Sequence, residues 1–151
     1  MKPILLVEDN PHDQELALMA LTKAGLLNET VMVSDGEEAL DYLFSRGIYA
    51  GRPPGNPAVV LLDLKMPKLD GIEVLKIVRS TPSTAYVPIV MLTGSQEETD
   101  VSRSYQNGVN AFIVKPMDFM ELVRAVGEAG AFWALINEPP VGSFKPTPKT
   151  E

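Results

Sequence analysis

Apolar residues along the chain fall into two alternating kinds of segment. Short, unbroken runs rich in Val, Ile and Leu occupy Pro3–Val7, Glu29–Val33, Ala58–Leu62, Pro88–Leu92 and Ala111–Val114, each too brief for a helix. Between them, apolar residues recur at helical spacing. Leu16, Met19, Ala20 and Ala24 share one face ahead of Gly25. Asp35 is placed to cap a helix running from Gly36 to about Arg46, with Ala39, Leu40 and Leu43 inward. Ile72 and Leu75 mark the buried side of a third helix. Glu97 to Asn107 reads as a fourth, stopped by Gly108. Asp118 caps a fifth, in which Leu122, Val126 and Trp133 recur near the helical period.

Regular alternation of strands and helices predicts parallel βαβ units. Val59–Leu62 and Ile89–Leu92 are apolar without alternation, the pattern of strands covered on both faces. The expected fold is α/β: a doubly wound five-stranded parallel sheet of flavodoxin-like order, 2-1-3-4-5, forming one domain over residues 1–137. Two segments break the rhythm. Gly47–Pro57 holds three prolines and three glycines and is expected to be an extended loop. Glu138–Glu151 holds four prolines and little apolar periodicity, and is expected to be a poorly ordered tail.

Composition narrows the function classes. At 151 residues and 45% hydrophobic content the chain can build one real core. A net charge of −7 disfavours a surface for nucleic acid or anionic lipid, which need a positive face. The absence of cysteine removes disulfides, thiolate metal sites and cysteine nucleophiles, and a single histidine makes an all-protein zinc site improbable. No run approaches the ~20 apolar residues of a membrane span, and Ile4–Val7 leads straight into Glu8-Asp9, unlike a signal peptide. A soluble, cytoplasmic domain is expected.

In an open parallel sheet, ligands bind beyond the carboxyl ends of the strands. The first run ends in Glu8-Asp9, the third in Asp63, the fourth in Thr93 and the fifth in Lys115-Pro116. Each alone has an ordinary reading as a helix cap or a solvated loop; their joint appearance carries the argument. Adjacent strands would crowd three carboxylates together, a conflict of like charge that a divalent cation relieves. Hard carboxylate oxygens suit Mg²⁺ or Mn²⁺ rather than zinc or copper. A carboxylate beside such an ion can attack phosphorus, giving an aspartyl phosphate on Asp63, with Thr93 and Lys115 binding phosphoryl oxygens. His12 reads as an exposed first-turn residue, not a relay.

VEDNP at 7–11, LLDLKMPKLDG at 61–71, VMLTG at 90–94 and FIVKP at 112–116 resemble the receiver domain of two-component response regulators, over about Lys2 to Trp133. The resemblance implies Asp63 as phosphoacceptor for a histidine kinase, Asp9 as a direct metal ligand and Glu8 as one acting through water. It implies a metal-binding backbone carbonyl at Lys65, phosphoryl-binding switch residues Thr93 and Lys115, and an aromatic switch at Phe112. It also implies a cis peptide bond before Pro116. Lys65 and Ser95 stand at the positions flanking the route of attacking water, and are expected to tune the lifetime of the phosphoryl group.

The long loop before the third strand, SYQNGVNAFIVKP at 104–116 and the Phe132-Trp133 ending are similar to stand-alone regulators of phytochrome-type histidine kinases. That branch implies a homodimer through the fourth helix, fifth strand and fifth helix. Phe119, Val123 and Phe132 lie off the Leu122–Val126–Trp133 stripe, so the last helix is apolar on more than one face. With Tyr105 and Trp133 they form the candidate dimer and output face, although Phe132 and Trp133 can equally cap the core. No catalytic turnover is expected beyond self-catalysed phosphoryl uptake and loss. The competing reading is a magnesium-dependent aspartyl-phosphate phosphatase, which needs an acid where Lys65 stands. An FMN carrier would place its phosphate against Glu8-Asp9, which repel it.

Overall fold

The computed structural model describes residues 3–140, 142 and 143. Five strands, β1 (Ile4–Val7), β2 (Thr30–Val33), β3 (Val59–Leu62), β4 (Ile89–Thr93) and β5 (Ala111–Val114), alternate with five helices. These are α1 (Pro11–Lys23), α2 (Gly36–Leu43), α3 (Gly71–Ser80), α4 (Glu98–Gln106) and α5 (Phe119–Ala131). The strands form one parallel sheet in the order β2-β1-β3-β4-β5, as the sequence predicts. The order reverses between β1 and β3, which opens the crevice where such sheets bind ligands.

Strand alternation divides the core into two layers. Leu5, Val7, Val60, Leu62, Ile89 and Met91 point to one face and pack with Ala39, Leu40 and Leu43 of α2 and Ile72, Leu75 and Val78 of α3. Ile4, Leu6, Val59, Leu61, Val90 and Leu92 point to the other, against Ala17, Ala20 and Leu21 of α1 and Leu122, Val123 and Val126 of α5. The central strands β1, β3 and β4 are buried throughout, which explains their unbroken apolar runs.

Helix starts follow their caps. Asn10 accepts the amides of His12 and Asp13 at 2.9 and 3.1 Å, with Pro11 as the first helical residue. Asp35 and Asp118 cap α2 and α5 as expected, and Asp70 forms a capping box with Glu73 on α3. Gly71 at the start of α3 admits no side chain: a Cβ there would lie 2.6 Å from the Asp63 carbonyl oxygen. The chain thus turns tightly beneath Asp63.

Three expectations need correction. The peptide bond before Pro116 is trans, since the described residues contain no cis bond; trans is the intrinsically favoured isomer by ~0.5–1 kcal/mol at X–Pro. Val123 is buried against α1 and the sheet rather than on an outer face, because α5 packs against both and buries a wide arc. The Gly47–Pro57 loop is not simply extended. Gly47–Tyr49 forms a 3₁₀ turn, and Arg52 donates to the carbonyls of Leu43, Pro53 and Gly55. In the tail, Ser143 is buried and bridges to Asn56, whose amide donates to the Gly142 carbonyl at 3.1 Å. The rest of the expected tail, residue 141 and residues 144–151, lies outside the described residues. After α5 the chain widens into a π-helical turn, Phe132–Ile136. Among the described residues, no helix is long and apolar enough to cross a membrane.

Candidate functional site

The ends of β3, β4 and β5 and the first turn of α1 meet on one cleft of ≈ 540 Å³, lined by Asp13, Asp63, Lys65, Thr93, Ser95 and Lys115 among others. Glu8 and Asp9 follow β1, Asp63 follows β3, Thr93 closes β4, and Lys115 follows β5. One carboxylate oxygen from each of Glu8, Asp9 and Asp63 lies within 4.8 Å of the other two. Glu8 and Asp63 are buried and Asp9 is half-buried, so the like charges sit where water screens them poorly.

One ammonium answers these carboxylates. Lys115 Nζ donates to Glu8 Oε1, lies 3.0 Å from Asp13 Oδ2 and stands 3.9 Å from Asp63 Oδ2. Burial, reinforced by Asp63, pushes the Glu8 carboxyl up to about 8, against the opposing pull of Lys115. Burial also disfavours the charge of Lys115, but the bond to Glu8, the fields of Asp63 and Glu8 and the bond to Asp13 outweigh it and hold its pKa above the ordinary value. An acidic cluster this short of positive charge fits a hard divalent cation: the donors are all oxygens, and binding would discharge the repulsion. Glu8, Asp9 and Asp63 are the side chains that would hold it.

Thr93 is fully buried at the base of the cleft, and its carbonyl accepts the Lys115 amide at 2.7 Å. Phe112 is half-buried on β5 beside Met91, against the α2–α3 face of the core. Ser95 donates its amide to Thr93 Oγ1 at 3.3 Å. Lys65 reaches across to Asp100 Oδ2 at 3.3 Å rather than towards Asp63. His12 is exposed at the first turn of α1, as expected.

Three further residues were not anticipated. Asp13, one helical turn beyond Asp9, is a counter-ion of Lys115. Gln14 Nε2 donates to the Glu8 carbonyl at 2.6 Å and fixes the β1–α1 loop. Asp100, buried on α4, accepts from Ser95 Oγ at 2.6 Å, and that bond together with Lys65 holds its carboxyl below the usual carboxylate range. The available signal was an acidic residue on the inward side of a helix.

On the candidate dimer face, Tyr105, Phe119 and Phe132 are exposed, and Val123 is not. Trp133 is half-buried against the α1–α5 face and meets Phe132 edge to face at 5.1 Å. Val114, Met117 and Met120 add exposed apolar surface that the sequence reading did not include.

The model of the response regulator receiver domain matches residues 4–127. Over 132 residues the chain is 36% identical to the response regulator Rcp1 of Synechocystis sp., covering 87% of this chain and 88% of Rcp1. The Mn²⁺-bound form of Rcp1 superposes with a TM-score of 0.84 at 35% identity, over 93% of this chain and 100% of that one. The phosphorylated cyanobacterial phytochrome response regulator RcpA gives 0.84 at 39% identity, over 92% and 98%. The bacteriophytochrome response regulator RtBRR gives 0.75 at 55% identity, over 95% and 86%. The chain belongs to the response regulator receiver domain family and is related to the phytochrome response regulators.

Proposed function

We propose that this receiver accepts a phosphoryl group on Asp63 from a phosphohistidine of a partner kinase of the phytochrome type, acting in the cytoplasm. The observation that carries the reading is that Asp63, Thr93 and Lys115 line one cleft while carboxylate oxygens of Glu8 and Asp9 lie within 4.8 Å of one on Asp63. In the transfer, an Asp63 carboxylate oxygen forms a bond to phosphorus as the P–N bond to histidine breaks, and the imidazole keeps the electron pair. Glu8, Asp9 and Asp63, with the Lys65 carbonyl, would hold Mg²⁺ or Mn²⁺, Glu8 acting through water. When bound, that ion supplies positive charge to the phosphoryl oxygens.

The chain's own residues do the rest. Lys115, 3.9 Å from Asp63, pairs with one phosphoryl oxygen, and the Thr93 hydroxyl donates to another. Movement of Thr93 towards phosphate makes room for half-buried Phe112 to turn inward, which shifts α4 and β5. Output and homodimerisation then use the α4–β5–α5 face, where Tyr105, Val114 and Phe119 are exposed. An aspartyl-phosphate phosphatase would need a carboxylic acid at position 65; the Lys65 ammonium bound to Asp100 cannot serve as one. The chain therefore takes up and loses phosphate without turning over an external substrate.

The test is incubation with Mg²⁺ and acetyl phosphate, then phosphotransfer from a panel of histidine kinases. One phosphoryl group per chain, absent from Asp63→Asn, supports the reading. Continuous release of inorganic phosphate from phosphomonoesters overturns it, as does undiminished labelling of Asp63→Asn.

A further inference from the structure

Among the described residues, the buried side chains of α4 are Asp100 and Ser104, both polar. The helix gives no apolar side chain to either core layer. Its attachment is made by polar contacts instead. Ser104 Oγ donates within the helix to the Asp100 carbonyl at 2.8 Å, while outside the helix the Asp100 carboxylate takes the Ser95 hydroxyl at 2.6 Å and the Lys65 ammonium at 3.3 Å. Asp100 is 4% exposed, so its charge depends on those partners. Lys65 belongs to the loop after β3 and Ser95 to the loop after β4; both line the cleft beside Asp63. The helix is thus held by the groups that flank the phosphoacceptor.

We propose that Asp100 is a positioning residue that parks the Lys65 ammonium and the Ser95 hydroxyl away from Asp63, so that a phosphoryl group must win Lys65 from Asp100 and in doing so loosens α4. The inference rests on the reading of Asp63 given above and adds a regulator of the same site. Three features support the competition. The Lys65 side chain is 63% exposed and has room to swing between the two anions. A phosphoryl group brings negative charge and three acceptor oxygens to the same cleft. Once Lys65 has left, Asp100 keeps a buried charge with the Ser95 hydroxyl as its hydrogen-bond donor and Arg103 as its remaining cation, and no buried apolar side chain of α4 compensates.

The test uses the full chain with Mg²⁺ and acetyl phosphate, whose P–O bond to acetate breaks as the bond from Asp63 to phosphorus forms. Asp100→Asn keeps the shape and can still accept from Ser95, but it releases Lys65. Phosphoryl uptake is expected to quicken about fivefold, the worth of one unit charge gained near another in a wet cleft. In a Lys65→Met background, Asp100→Asn is expected to change nothing further. Equal uptake by Asp100→Asn and the parent overturns the proposal. So does an acceleration that persists without Lys65, which would be simple loss of repulsion.

Hydrogen exchange keeps the proposal testable if Asp100→Asn folds poorly. Amides of Glu98–Gln106 should exchange faster in the phosphorylated parent than in treated Asp63→Asn, and that difference should shrink in Lys65→Met. Unchanged exchange on phosphorylation overturns the tether. A parent chain that takes no phosphoryl group on Asp63 brings down the function first and this inference with it. A parent that is labelled normally while Asp100→Asn behaves identically removes the inference alone.

Discussion

Asp9→Asn should stabilise the metal-free protein and remove most of its response to Mg²⁺. Carboxylate oxygens of Asp9 and Asp63 lie within 4.8 Å of each other. Two unit charges about 5 Å apart under an effective dielectric near 20 repel by about 3 kcal/mol. Lys115, 3.9 Å from Asp63, offsets part of this, and half-buried Asp9 is partly screened by water. A net gain of about 1–2 kcal/mol is therefore expected from a substitution that keeps the side-chain shape and deletes the charge. Urea unfolding in EDTA reads it as a higher midpoint at unchanged slope. Mg²⁺ at about 100 times its dissociation constant should then add about 2.7 kcal/mol to the parent by mass action, and much less to Asp9→Asn, reversing their order. Asp9→Asn no more stable than the parent in EDTA, or equal gains from Mg²⁺, would refute the claim that these carboxylates share one repulsive cation site.

Other substitutions test the scaffold and the charge balance. Gly71→Ala drives a Cβ to 2.6 Å from the Asp63 carbonyl oxygen and 2.9 Å from Leu64 Cα, so it should cost about 2–4 kcal/mol in urea unfolding and slow phosphoryl uptake as well. Arg79→Met deletes bonds to the carbonyls of Gly108, Ala85 and Val87 and to Asn110 Oδ1; a loss of about 2–4 kcal/mol with unchanged Mg²⁺ affinity is expected, by unfolding and by titration. Folded Glu8 keeps a proton up to about 8 that the unfolded chain releases near 4.5, so it makes the metal-free protein less stable as pH rises through that window. Urea midpoints in EDTA at pH 5 and pH 8 measure this, and a rising midpoint would contradict it.

The parts of the fold that the sequence reveals are those where one physical demand dominates. β3 is buried on both faces, so Val59–Leu62 could be nothing but apolar and reads plainly as a central strand. β2 and β5 lie at the sheet edges with partly exposed residues, yet their pattern of short runs still marked them. Val123 misled because an apolar residue off the main stripe has two physical destinations. An outer interface is one; a second neighbour in the core is the other, and here α1 supplies it. The isomer before Pro116 is decided by less than ~1 kcal/mol and leaves no trace in residue type. Ser143 is held by backbone pairing to Asn56, which composition does not report.

The site divides in the same way. Asp9, Asp63, Thr93 and Lys115 were legible because sheet topology alone brings strand ends together, whatever the helices do. Asp13 and Asp100 were not, because their roles depend on which cation each can reach across the cleft. Lys115 touches Glu8 and Asp13 before it comes as near to Asp63, and Lys65 turns to Asp100. Lys115 and Lys65, the two cations lining the cleft, are thus engaged with carboxylates other than Asp63. Under the proposed function, an incoming phosphoryl group would have to outbid existing ion pairs, one anchored on α1 and one on α4. Because the Asp100 pair holds a helix that lacks an apolar anchor, exchanging that partner reaches the surface of the molecule through α4, while exchange at Asp13 stays at the first turn of a helix packed firmly by Ala17, Ala20 and Leu21.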